Sequence, residues 1–182
     1  MNQDYIQNTL QAYADTIIPR TPGLAEVYGY IQYYGALDSQ IDQFLLDNLK
    51  QQYIPLAEAA VELLNAAAAQ WLANQGFDIQ GGLEFLPPPD RLGAIMLSQL
   101  HEVDPVLLPD EQWRNSGFTN NVTSSLLTYT LMGYYSEWSG YGTTKQDPPG
   151  NRVLEYVPIS WQQIDYPGPS LGYRVLRTVN IS

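Results

Sequence analysis

The sequence contains no cysteine, which removes disulfides, thiolate nucleophiles and cysteine-based metal sites together. Basic residues are scarce as well: 8 Lys and Arg stand against 19 Asp and Glu, for a formal net charge of −11. Phosphate backbones and anionic lipid surfaces are held by clustered Lys and Arg, so neither is a fitting partner for this chain. No run of 18 or more apolar residues occurs, and nothing in the sequence reads as a membrane span. The opening MNQDYIQNTLQ has neither a basic start nor an apolar signal core. The expected place is therefore the cytoplasm as the sequence is written, with the periplasm, reached by export beside a partner, as the alternative.

Catalytic signals are equally thin. The one histidine, His101, has no Gly-x-Ser-x-Gly turn before or after it, which gives a histidine-centred hydrolase little support. Neither GxGxxG nor Gly-x-x-x-x-Gly-Lys-Ser/Thr is present, so no dinucleotide or phosphate cradle is visible. His101, Glu102 and Asp104 could belong to a metal site, but the polar end of a helix accounts for them better. The carboxylate pairs Glu58 with Glu62 and Asp110 with Glu111 have the type needed for glycoside hydrolysis. In so acidic a chain such pairs are expected by chance, and a solvated helix face is the better reading.

What is present is helical periodicity followed by a long aromatic segment. A chain of 182 residues suits one domain. We expect a mostly α, single helical domain of about five or six helices over residues 1–182, with a helical core at 1–135 and an irregular C-terminal wrap at 136–182. Ile6, Leu10, Tyr13 and Ile17 recur at helical spacing until Pro19 stops the run. Residues 24–35 read as a helix weakened by Gly29 and Gly35. Asp38 is the expected N-cap of a helix carrying Ile41, Leu45 and Leu49 on one face. Residues 56–74 form the clearest helix, rich in Ala, Leu and Glu, with Val61, Leu64, Ala68 and Leu72 on one side. Asp90 is the expected cap of a helix whose Leu92, Ile95, Met96 and Leu100 face the core, and residues 117–135 make a last long helix. No strand-helix alternation is visible, so a parallel sheet is not expected. Short extended pieces at Val153–Val157 and Tyr173–Asn180 have the composition to pair as a small β ribbon.

From Gly133 to Tyr173 the composition changes. Tyr134, Tyr135, Trp138, Tyr141, Tyr156, Trp161, Tyr166 and Tyr173 are spaced by glycines and prolines that no helix of that length tolerates. Ordering such a segment costs about 1–2 kcal/mol of backbone entropy per residue, so its rings must bury against something. The chain's own helices are one surface they could meet, and a partner protein is the other. Taken as a group, framed by Pro167 and Pro169 and flanked by Asn151 and Arg152, the rings read as a partner-binding surface.

The order of several residues resembles the gluconate 2-dehydrogenase subunit 3 family. Asp15-Thr16-Ile17-Ile18-Pro19 followed by Thr21-Pro22-Gly23 resembles that family's opening helix and turn. Gly133-Tyr134-Tyr135, Gly150-Asn151-Arg152, the run from Trp161 through Tyr166-Pro167-Gly168-Pro169, and Gly172-Tyr173 resemble its closing pattern in order. The sequence departs from the family in lacking a twin-arginine signal and in carrying Asp165 where a small residue is expected. The resemblance implies a helical, non-catalytic accessory subunit that binds a large FAD-dependent dehydrogenase subunit of the glucose-methanol-choline type and assists its stability, maturation or export. FAD and catalysis would then belong to the partner, and the chain itself would carry no cofactor.

Overall fold

Asn2 accepts a hydrogen bond from the Asp4 N–H at 3.1 Å and so starts α1 (Gln3–Ile17), which ends at Ile18 ahead of Pro19. The computed structural model describes residues 2–52, 56–77, 81–108 and 110–168. Within them it is mostly α, with seven α-helices joined by short 3-10 turns and no strand. Ile6, Leu10 and Tyr13 point α1 into the core, and Ile17 is half-buried at its end. No described helix is long and apolar enough to cross a membrane.

The segment expected as one helix over 24–35 is split. α2 (Pro22–Tyr28) stops at Gly29, whose φ of 100° only glycine adopts freely, and Tyr30–Tyr33 continue as a 3-10 turn. Asp38 does not cap the next helix. It sits in the turn Leu37–Ser39 and accepts a fork of hydrogen bonds from Arg20, while Gln40, in the left-handed region at φ 56°, precedes α3 (Ile41–Lys50). Ile41, Leu45 and Leu49 are buried as their spacing requires.

α4 (Leu56–Asn74) is the central helix, burying Val61, Leu64, Leu72 and the alanines 66–68. Its main neighbour is α5 (Pro88–Gln99). The N-terminus of α5 is set by Pro87 to Pro89, and Asp90 lies inside the first turn, where its carboxylate accepts the Trp71 indole N–H at 3.0 Å. Of the four core residues expected on α5 only Ile95 is buried; Leu92, Met96 and Leu100 are exposed. The reason is close approach: Gly93, Ala94 and Ser98 form the face against α4, and small residues let the two backbones near each other. The larger residues four positions apart are left on the opposite side.

α6 (Ser116–Tyr135) is capped by Asn115, whose side-chain Oδ1 accepts the Gly117 N–H at 2.9 Å. Its threonines turn their hydroxyls onto the preceding turn, as in Thr130 to the Leu126 carbonyl at 2.8 Å, so they carry no unmet hydrogen bond inside the helix. Beyond it the segment expected as irregular is a chain of 3-10 turns at Trp138–Thr144 and Pro149–Asn151, followed by α7 (Ile159–Gln163). Residues 153–157 are extended without a strand partner among the described residues, so the expected ribbon does not form there; its other half, Tyr173–Asn180, lies outside the described residues.

Two buried clusters result. The larger joins α1, α3, α4, α5 and α6, and the smaller gathers Ala14, Ala36, Ile41, Tyr134 and Trp138 at the other end of α1. The closest helix contact gives a stability test. A Cβ at Gly93 would fall within the Trp71 ring, which its bond to Asp90 holds in place. Gly93→Ala is expected to destabilise the fold by about 1–3 kcal/mol in urea unfolding, despite the better helix propensity of alanine. Combining it with Trp71→Leu should recover most of the loss, and failure to recover would place the strain elsewhere.

Candidate protein-binding surface

The aromatic segment has two sides. Tyr134, Trp138 and Trp161 are buried in the chain's own fold, and each uses its polar tip there. The Tyr134 hydroxyl donates to the Gln163 side-chain oxygen and lies 3.2 Å from the Tyr34 carbonyl, and burial pushes its pKa above the usual phenol value. The Trp138 indole donates to the Gln40 carbonyl at 3.1 Å, and its ring meets Phe44 edge-on at 5.1 Å. Trp161 donates to the Tyr135 carbonyl at 3.1 Å. These three rings fasten the segment to α1, α3 and α6.

Arg152 belongs to the same fastening. Its guanidinium lies 5.6 Å above the Trp138 ring and 5.8 Å above the half-buried Tyr141, while its Nε donates to the Asp147 carbonyl at 3.0 Å. Asn151 is exposed at the end of the turn Pro149–Asn151. Gly140 is needed because its carbonyl accepts both the Glu155 and Tyr156 N–H groups and a Cβ there would collide with the Tyr156 carbonyl. Asp165 takes the left-handed conformation at φ 52° that ends α7, with the Tyr166 N–H returning to the Trp161 carbonyl at 2.7 Å. Asp is among the few residues that tolerate this geometry.

Tyr135, Tyr166 and Pro167 face outward; Tyr135 is 52% exposed, and Tyr166 stands edge-on to Trp161 at 5.1 Å. Pro169 and Tyr173 lie outside the described residues. Ile164, just after α7, and Leu131 on α6 are exposed, and with Tyr135 they border a groove of about 320 Å³ that Ile17, Pro19 and Tyr34 also line.

Sequence reasoning missed the arm on the other side of this groove. No residue of α2 is buried, and Leu24, Val27, Tyr28 and Tyr30 are all exposed, Val27 and Tyr28 to 71%. Tyr30 and Tyr33 stack at 5.7 Å with Tyr34 edge-on to both, and Arg20 lies 5.7 Å from the Tyr33 ring. The tyrosine run between Gly29 and Gly35 was the available signal, because three aromatics in a segment too short for a buried helix have few places to go. One side chain joins the two halves. The Gln163 amide donates to the Ile31 and Tyr34 carbonyls at 3.1 and 3.0 Å, and Gln32 donates back to the Gln163 carbonyl at 2.8 Å.

Catalytic groups do not gather here. Glu58 and Glu62 are half-buried on α4, far in sequence from the exposed Asp110 and Glu111, and neither pair borders the groove. Among the described residues no three His, Asp or Glu side chains come together to hold a metal ion, so His101, Glu102 and Asp104 do not form one. No family model, curated protein or solved structure matches the chain.

The arm is anchored at its base by Arg20 and Asp38, 2.6 Å apart. The Arg20 hydrogen bonds, more than its charge alone, hold the Asp38 carboxyl below its usual pKa, with the Gly35 N–H adding a contact at 3.0 Å. A depressed carboxylate pKa stabilises the fold above the unfolded value of about 4, and that contribution disappears as pH falls through the folded value. Asp38→Asn should therefore lower the melting temperature at pH 7, and the gap from the unmodified protein should narrow progressively as pH falls below about 4. A gap that stays constant down that range to the acid limit of folding would show that charge is not what anchors the arm.

Proposed function

We propose that this chain is a non-catalytic accessory subunit that binds and stabilises a large FAD-containing oxidoreductase of the glucose-methanol-choline type. The observation that carries a binding role is the outward apolar surface formed by the arm at Leu24–Tyr30, the groove, and Tyr135, Ile164 and Tyr166. Large apolar side chains exposed together, as Leu24, Val27, Tyr28 and Tyr30 are on one short arm, are seldom left on a monomer without a use, and aromatic side chains give interfaces much of their energy. The identity of the partner rests on the ordered resemblance to the gluconate 2-dehydrogenase subunit 3 family in sequence, and FAD belongs to that partner. Binding stabilises the subunit's fold by mass action.

A carbohydrate-binding protein is the second reading, favoured by Tyr28 and Tyr30, exposed rings on which a sugar can stack. Titration with gluconate or glucose, followed by intrinsic fluorescence, separates this reading from protein binding.

Co-expression with a flavin-dependent dehydrogenase of the glucose-methanol-choline type from the same genome is expected to yield one co-purifying complex, and elution of every such pair as separate monomers would sink the proposal. In that complex Tyr135→Ala with Tyr166→Ala should weaken association by about 30-fold or more, as loss of about 2 kcal/mol of interface energy does. The same pair should move the melting temperature of the isolated subunit little. Trp161→Ala should do the opposite, lowering stability by about 3–5 kcal/mol.

A further inference from the structure

A second cavity, of about 190 Å³, lies away from the outward apolar surface, where the end of α5 meets the start of α6. Its floor is apolar, made by Leu63, Val103, Leu108 and Trp113, and its mouth carries His101 and Arg114. The cavity wall is held from behind: the Gln70 amide donates to the Glu102 carbonyl at 2.8 Å and its oxygen accepts the Asp104 N–H at 2.6 Å. Such fixing makes the cavity preformed rather than dependent on a ligand to shape it.

Three features at this cavity bear on what it can hold. His101 adopts φ 58°, closing α5 with the Glu102 N–H on the Leu97 carbonyl at 2.9 Å and its own N–H on the Ser98 carbonyl at 3.3 Å. That ending is the one in which glycine is favoured, and a histidine there is strained. The strain brings the chain's one imidazole to the cavity mouth. The Trp113 indole N–H is buried with no acceptor among the described residues, although its ring lines the floor. Among the described residues the Arg114 guanidinium pairs only with Glu111, at 4.0 Å, a long and exposed contact. Of the neighbouring carboxylates, Asp104 accepts the Val106 N–H and Asp110 the Gln112 amide, and neither forms an ion pair with Arg114 among the described residues.

We propose that this cavity binds a small carboxylate with an apolar body, about the size of benzoate. The carboxylate meets the Arg114 fork and the His101 ring at the mouth, and the apolar body fills the floor above Trp113. A volume near 190 Å³ is of the order of the ~150 Å³ apolar cavities that admit a benzene ring. The site is independent of the partner-binding reading, and neither result decides the other.

The test is calorimetric titration of the full chain with benzoate, benzamide and benzylamine at one pH and ionic strength, with tryptophan emission as a second readout. Saturable benzoate binding is expected, weakened about tenfold or more by Arg114→Gln and similarly weaker for the uncharged benzamide. His101→Gly should weaken benzoate binding while raising the melting temperature by about 2–4 °C, as relief of backbone strain does in a chain of this length. Absence of saturable binding by any of the three compounds overturns the site. Benzamide or benzylamine binding as tightly as benzoate overturns the carboxylate assignment. A lower melting temperature for His101→Gly overturns the claim that the histidine is kept at a cost to stability.

Discussion

The Gln163 side chain is the contact on which the outward surface depends. One amide spans the Ile31 and Tyr34 carbonyls and receives the Tyr134 hydroxyl, tying the arm, the end of α6 and α7 into one unit. Without it the Ile31 carbonyl would lose its side-chain donor and the Tyr34 carbonyl would keep only the Tyr134 hydroxyl, and neither the arm nor α7 has an apolar interior of its own to hold it in place. α2 buries nothing, and α7 is only five residues long. Short helices of this kind are not stable alone. The groove exists because a polar network, rather than packed hydrocarbon, holds its two walls apart at a fixed distance.

The same division of labour recurs in the aromatic segment. Tyr134, Trp138 and Trp161 each bury a ring and direct a polar tip at a backbone carbonyl, so they behave as fasteners. Tyr135 and Tyr166, each edge-on to one of them, are held at the surface by those fasteners. A rigid aromatic loses little freedom when it meets a partner, which is why preorganised rings contribute more to an interface than mobile ones. Burial against the chain's own helices and presentation to a partner are thus two faces of one arrangement.

How much of this was legible in sequence follows from how local each signal is. α1, α3, α4 and α6 were readable because apolar spacing and helix propensity lie within each helix, and α4 runs over the expected residues 56–74. The inward face of α5 was not, because Gly93, Ala94 and Ser98 win it by allowing close approach to α4, a property of the pair rather than of the helix. Asp38 and Asp90 look like caps and serve instead as acceptors for Arg20 and Trp71, partners 18 and 19 residues distant. Among the surface residues, Tyr135 and Tyr166 could be nominated but not told apart from Tyr134 and Trp161. Side-chain direction in a segment without periodicity is decided by contacts with Gln40, Tyr34 and Tyr135 that composition does not encode.

The span of the Gln163 contacts has a consequence for how the chain acquires its shape. They join positions 129 and 132 residues apart, and the Trp138 bond to Gln40 closes a loop of 98. Closing long loops is entropically late, whereas α4 and α5 pair across a short connection. During synthesis the helical centre can condense while the arm emerges early and waits, its tyrosines without the segment that positions them. Only when Gln163 and Ile164 have left the ribosome does the groove gain its second wall. Recognition by any partner of that groove is in this way a report that synthesis has passed α7.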